Sequence, residues 1–284
     1  MAEGSDRIGR HGMIRAADWG HTLETVAAWL LGFLWAAPLL YAGWAAFHTM
    51  DFVSRFDLFS PLTLDNFRAA WTVAPFARYF LNTFLLVSMT LTGQIVLCTL
   101  AGYAFARLEF PGKETAFILV LVQIMIMPDV LIVQNYLTTS RLGLVDTILG
   151  IGLPYMGSAF GIFLLRQAFK QVPRELEEAA RVEGAGRLAI LMKVYVPLAR
   201  PTYLAYGLVS VSYHWNNFLW PVVITNSTDT RPLTVGLSIF GAPESGVNFP
   251  VISAGTLLAV SPLLIAFLLF QRQFVQSFMR SGIK

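Results

Sequence analysis

Apolar runs long enough to cross a bilayer recur along this chain, separated by polar segments. A helix needs about 20 apolar residues to span the hydrocarbon core. The runs at 25–47, 80–104, 116–137, 147–169, 202–225 and 251–270 predict six transmembrane helices. Polar groups interrupt the third and fifth. The pattern changes in 174–201, where glutamates and arginines alternate with small and aliphatic residues. That charged, amphipathic island between the fourth and fifth runs has no obvious use within lipid.

Composition agrees with the pattern. The 284 residues are 56% hydrophobic and 13% charged, against about 25% charged in a soluble domain. The expectation is one all-α integral membrane domain over 1–284. The N-terminus is polar and the first apolar run is too long for a cleaved signal. A net charge of +3 is too slight to argue for nucleic acid. Basic residues set topology instead. With six spans, 15 of the 20 Lys and Arg fall on the side of the termini and 5 on the other. Both termini and the island are therefore expected in the cytoplasm. The loops at about 49–79 and 226–250 are expected outside. Within the first of these, the stretch from Leu62 to Trp71 reads as a short amphipathic helix at the interface.

Inside the island, Pro173 suits the start of a helix. Glu175, Glu177 and Glu178 follow, favoured near the positive end of the helix dipole. Leu176, Ala179, Ala180 and Glu183 share a small, mainly apolar face. Gly184 and Gly186 end this helix, since glycine accepts the left-handed conformation. A second helix over about 187–196 is expected to stop before Pro197. On physical grounds this loop, about 173–201, reads either as a docking surface for a cytosolic partner or as an amphipathic hairpin on lipid headgroups.

The motif Glu178-Ala179-Ala180, then Gly184, then Val194-x-Val196-Pro197 resembles the signature loop of bacterial ABC importer permeases. Valines stand where the family usually has Ile and Leu. The stretches from Ser158 to Phe169, His214 to Pro221 and Arg231 to Leu237, and the C-terminal ending, are similar to carbohydrate-importer permeases of the maltose-transporter type. The resemblance implies the type I ABC importer permease fold in a bacterial inner membrane. It implies three partners besides membrane lipid: a second, different permease, an ATPase dimer and an extracytoplasmic solute-binding protein. ATP and Mg would sit on the ATPase, with no cofactor on this chain. Glu178 would contact the ATPase cleft, Ala179 and Ala180 would permit close docking, Gly184 would form the turn and Pro197 would end the motif. The external residues Ala242, Pro243, Glu244 and Ser245 would face the binding protein. The tail 271–284 would lie against the ATPase pair.

Other features carry less. Tyr213, Asn216, Asn217 and Trp220 lie in the fifth run. Ser210, Tyr213, Asn217 and Trp220 are spaced to share a helix face, which would line a sugar path or serve as interhelical hydrogen-bond glue. Asp129 is the one carboxylate placed within a span, read either as a substrate contact or as a structural carboxylate; Pro128 beside it predicts a kink. Gly157 and Gly161 form a GxxxG step, expected to pack against the partner permease. Cys98 reads as inert packing. The segment Pro111 to Thr115 is not a phosphate loop, because Arg107 stands where the first glycine belongs. The four histidines do not cluster at metal spacing. No catalytic set is found. The functions left open are import of a sugar or oligosaccharide, import of glycerol-3-phosphate or a polyol by the same architecture, and ion-coupled secondary transport.

Overall fold

The computed structural model describes residues 6–57, 59–238 and 248–282, with side chains from 22 to 269 within those stretches. All regular elements among them are helical. The described chain divides into two compact units. One runs up to Ala69 and includes Asn248–Leu257; the other starts at Ala70 and includes the rest of the final helix.

In the first unit, α1 (Asp6–Ala46) is followed by α2 (Met50–Arg55) and by α3 (Asp65–Val73), which continues into the second unit. α3 forms where the amphipathic helix was expected. Asn66 on it donates from Nδ2 to the carbonyls of Ala46 (3.0 Å) and His48 (2.8 Å), satisfying acceptors that the end of α1 leaves open. Tyr41 stacks on Phe56 at 5.6 Å, and Phe56 holds φ 57° to close α2.

The second unit is built on α4 (Phe76–Arg107). Its 32 residues reach about 48 Å, more than a bilayer core. Buried residues recur along it at helical spacing, from Tyr79 through Thr83, Leu86, Thr90 and Gln94 to Cys98 and Gly102. Against this face pack α7 (Ile148–Gly152), α8 (Ala159–Gln171), α12 (Arg200–Asn216) and α14 (Leu233–Leu237). Small residues permit the approach of α8. A Cβ on Gly102 would lie 3.1 Å from Leu165, and one on Gly161 would lie 2.8 Å from the Cys98 sulfur. The close contact expected of Gly161 is thus made within the chain. Gly157 lies in the bend ahead of α8, with nothing within 4 Å of a Cβ there.

Three helices among the described residues are long and apolar enough to cross a membrane: Thr22–Ala46, Phe76–Arg107 and Phe249–Leu269. Two bent pairs bring the number to as many as five. In the third predicted run, α5 (Lys113–Met125) and the segment Pro128–Arg141 meet at 93°. The latter comprises a 3-10 turn, Pro128–Leu131, and α6 (Ile132–Arg141). Pro128 has no N–H and starts that turn, so the expected kink is a full break. In the fourth run, Ile148–Tyr155 and α8 meet at 50°. The fifth run also differs from the continuous span expected. α12 has 17 residues, and Asn217 leaves the helix (ψ 128°) before α13 (Leu219–Ile224). The freed Asn217 carbonyl accepts from Thr234 Oγ1 at 2.7 Å. In α15 (Phe249–Gly282), Pro262 deprives Leu258 of its usual partner, and Ser261 Oγ donates to that carbonyl instead (2.9 Å).

Candidate functional site

Two regions of the second unit carry the chemistry. The first is the charged island. α9 (Arg174–Val182) ends in a Schellman cap: Gly184 N–H donates to Arg181 O (2.9 Å) and Ala185 N–H to Ala180 O (2.9 Å). Gly184 sits at φ +84°, in open space, so its backbone angle alone calls for glycine. Glu178, Ala179 and Gly184 are exposed, with Leu176 and Val182 beside them; Val182 is 89% exposed. Ala180 is half-buried against the inner cluster, and Pro197 is half-buried.

The second helix of the island does not stop before Pro197. α10 (Arg187–Ile190) passes into a π segment, Leu191–Tyr195, and on into α11 (Val196–Leu198). In the π segment, Val196 N–H reaches back five residues to Leu191 O. This local widening lets the chain run through Pro197, which has no N–H to donate.

The acidic residue turned inward is Glu177, not Glu178. Glu177 is 7% exposed. Its Oε1 accepts from Arg181 at 2.5 Å, and its Oε2 accepts from the buried Tyr195 hydroxyl. Burial, then donation to Glu177, pushes the Tyr195 phenol up, so it stays a proton donor. Tyr195 is packed edge-on by Tyr103 (5.3 Å) and Phe169 (5.6 Å), with the Arg107 guanidinium 5.1 Å over its ring. Arg107 also donates to Phe169 O (2.8 Å) and Val172 O, carbonyls at the end of α8. The sequence offered two signals for Glu177: its i,i+4 spacing from Arg181, and a phenol among the aliphatics before Pro197.

The second region is a cavity of about 340 Å³ between the two bends and α12. Gln123 and Pro128 come from the first bend, Tyr155 and Ser158 from the second, Ser210, Tyr213 and His214 from α12, and Gln94 from α4. Broken helices leave backbone groups open, and side chains around the cavity take them. Gln123 Oε1 accepts from Ala159 N–H (3.2 Å), Ser158 Oγ from Gly161 N–H (3.1 Å). Gln94 is fully engaged: its amide donates to Tyr155 O (2.8 Å) and to His214 Nε2 (3.0 Å), while its Oε1 accepts from Ser210 (2.6 Å). Donation to Tyr155 fixes the amide orientation, so His214 accepts at Nε2. No Asp, Glu, Lys or Arg lines it.

Of the residues placed on a path from sequence, Ser210 and Tyr213 line this cavity. Asp129 is exposed in the turn whose Pro128 and Leu131 line it. Asn216 is exposed and donates to Ser212 O; Asn217 marks the helix break. Trp220 is buried and donates to Ile151 O at 3.0 Å, which is packing. The break at Asn217 is why the expected shared face does not continue to Trp220. Ala242, Pro243, Glu244 and Ser245 lie outside the described residues, and so do the side chains of 271–284. Among the described residues, no three of His, Cys, Asp and Glu gather as metal ligands.

The base of the segment leading to Ala242 is well anchored. Asp146 (φ 60°) accepts at Oδ1 from Asn226 N–H (3.0 Å), Ser227 N–H (3.1 Å) and the Thr230 hydroxyl. Desolvation opposes its charge, but the hydrogen bonds from Thr230, Ser227 and Asn226 outweigh this and lower its pKa to about 2. Further on, Asn82 donates to Asp229 O and Arg231 O, and Leu233 N–H to Thr83.

Residues 16–280 match the model of the family described as "Binding-protein-dependent transport system inner membrane component". The chain is 31% identical over 268 residues to the arabinooligosaccharides transport system permease protein AraQ of Halalkalibacterium halodurans, covering 92% of this chain and 96% of that one. It is 31% identical to the lactose transport system permease protein LacG of Rhizobium radiobacter, covering 78% and 81%. It is 29% identical to the sn-glycerol-3-phosphate transport system permease protein UgpE of Pectobacterium atrosepticum, covering 89% and 94%. In three dimensions it is similar to a chain in the crystal structure of a bacterial ABC transporter that imports the acidic polysaccharide alginate. The TM-score there is 0.75 at 23% identity, covering 96% of this chain and 99% of that one. The chain belongs to the family of binding-protein-dependent transport system inner membrane components.

Proposed function

We propose that this chain is one of two permease subunits in an ATP-driven, binding-protein-dependent importer of a sugar or oligosaccharide. The observation that carries the reading is α9: a short helix in the charged island, capped by Gly184, presenting Glu178, Ala179, Leu176 and Val182 to the outside. An ATP-binding subunit docks on that face, with Glu178 making polar contacts and Ala179 letting the surfaces close. Closure of the ATPase pair then moves α9 and rocks the permease between inward- and outward-facing states. The bent pairs and α12–α13 count as the third, fourth and fifth of six spans. Both termini lie in the cytoplasm of a bacterial inner-membrane protein, with the tail 271–284 near the ATPase. The segment at 242–245 reaches the extracytoplasmic binding protein.

The cavity favours a neutral, hydroxyl-rich substrate. Amides, hydroxyls and tyrosine rings pair well with sugar hydroxyls and pyranose faces, and no Lys or Arg lines it. Glycerol-3-phosphate is the second reading, since one relative is named for it. A phosphate path would need a cationic lining supplied by another subunit.

The test is isolation of the chain with whatever subunits copurify from its native membrane, followed by reconstitution and uptake of labelled arabinooligosaccharide, lactose and glycerol-3-phosphate. ATP-dependent uptake of a sugar supports the reading. Glycerol-3-phosphate uptake alone selects the second reading. Uptake driven by an ion gradient without ATP overturns both.

A further inference from the structure

We propose that Glu177, Tyr195 and Arg107 form a positioning latch that fixes α9 to the inner ends of α4 and α8. With the latch closed, movement of α9 is carried into the helix bundle rather than absorbed by the loop. The proposal rests on the docking role given to α9 above.

The covalent connections of α9 are unequal. It has 9 residues, is joined to α8 by the two-residue link Val172–Pro173, and is followed by Gly184 and Gly186, which let its far end swing. Apolar packing holds it only through small side chains, the half-buried Ala180 and, just past the helix, Ala185 against the inner cluster. Leu176 and Val182 face outward, and Glu177 is the one buried residue of the helix. The inward anchor of α9 is therefore a carboxylate, and what binds that carboxylate decides how firmly the helix is held.

The partner is well fixed. Tyr195 is fully buried, clamped between Tyr103 on α4 and Phe169 on α8, with Arg107 across its face. Arg107 is the last residue of α4 and bonds the closing carbonyls of α8. One guanidinium thus joins two bundle helices to the ring whose hydroxyl holds α9. Arg181, the other partner of Glu177, belongs to α9 itself and ties it to nothing else through this bond. Loss of the Tyr195 hydroxyl would leave Glu177 with no bond beyond its own helix. A buried carboxylate that has lost a partner costs more than one never placed there. Replacement of both groups by apolar ones is then expected to restore docking that the single change loses.

The experiment uses the complex of this chain with the ATPase that copurifies with it, in lipid nanodiscs, with and without non-hydrolysable ATP analogue. The readouts are amide exchange in α9, the nucleotide-induced change of exchange in α4 and α12, and ATP hydrolysis. Tyr195→Phe is expected to raise exchange in α9 about tenfold and to abolish the nucleotide-induced change in α4 and α12, with ATP hydrolysis retained. Glu177→Gln, which keeps size and an acceptor, is expected to give a partial loss. The double variant Glu177→Leu/Tyr195→Phe is expected to recover both exchange signals. A nucleotide response equal to wild type in Tyr195→Phe overturns the latch, and so does one lost equally in the double variant. If Tyr195→Phe fails to assemble, Glu177→Gln decides by the same two signals. If no ATPase copurifies with the wild-type chain, the docking reading fails, and the latch with it.

Discussion

Gly184→Ala probes the island with a matched control two residues away. At Gly184 the added methyl meets nothing within 4 Å, so no side chain has to move. The whole cost comes from φ +84°, where an L-residue pays about 1–2 kcal/mol. That corresponds to roughly 5- to 30-fold in the population of the capped state. Gly186 is equally open, but its φ is −71°. Ala is at ease there, so Gly186→Ala is expected to change local stability by no more than about 0.5 kcal/mol. Gly184→Val adds a β-branch and costs more than Gly184→Ala. Amide exchange at the end of α9, with ATPase retention on affinity purification, reads out all three. The expected order of loss is Val, then Ala at 184, with Gly186→Ala near wild type. If Gly184→Ala and Gly186→Ala behaved alike in both measurements, the cap would not be what shapes the docking face.

Other sites give sharper or milder outcomes. A Cβ on Gly236 would lie 2.2 Å from the Tyr79 ring, which is itself buried; Gly236→Ala is therefore expected to lower the melting temperature of the detergent-solubilised protein, and Tyr79→Leu in the same chain to recover part of it. Gln94→Leu strands Tyr155 O, Ser210 and His214 together and is expected to cost about 2–3 kcal/mol, measured by denaturant unfolding in mixed micelles. For Asp146 the folded pKa is about 2 against 3.8 for the free group. A lowered carboxylate pKa stabilises fully above the unfolded value, so this contribution holds above about pH 4 and fades towards pH 2. Asp146→Asn is thus expected to lose about 1 kcal/mol at neutral pH, after discounting for partial exposure, with the gap to wild type closing below pH 4.

The long helices were legible because an unbroken apolar run needs no knowledge of its neighbours. α4 and the apolar part of α15 formed where the pattern placed them. The third and fourth runs are apolar enough to span yet bend sharply, and the fifth, the more polar, breaks at Asn217. A break depends on who accepts the freed backbone groups, and here those partners are distant: Gln94 for Tyr155 O, Gln123 for Ala159 N–H, Thr234 for Asn217 O. Hydropathy does not report such pairs. In the island, Glu178, Ala179 and Gly184 stand exposed where the motif placed them. Glu177 was read only as a favourable charge at the start of a helix, because its decisive partner lies 18 residues on, beyond any helical spacing. Pro197 was read as a stop, but the helix runs through it after a π segment in which Val196 N–H reaches back to Leu191 O.

The central claim is that α9 couples this permease to an ATPase, and crosslinking tests it most directly. Cysteines at Ala179 and Val182, both exposed, would be introduced one at a time in the complex isolated from its native membrane. The account predicts crosslinks from both positions to a copurifying ATP-binding subunit, altered in strength when nucleotide and vanadate trap the complex, and none from a control cysteine at Ser54 on α2. Isolation of the chain without any ATP-binding subunit, with both positions reactive only toward lipid, would contradict it.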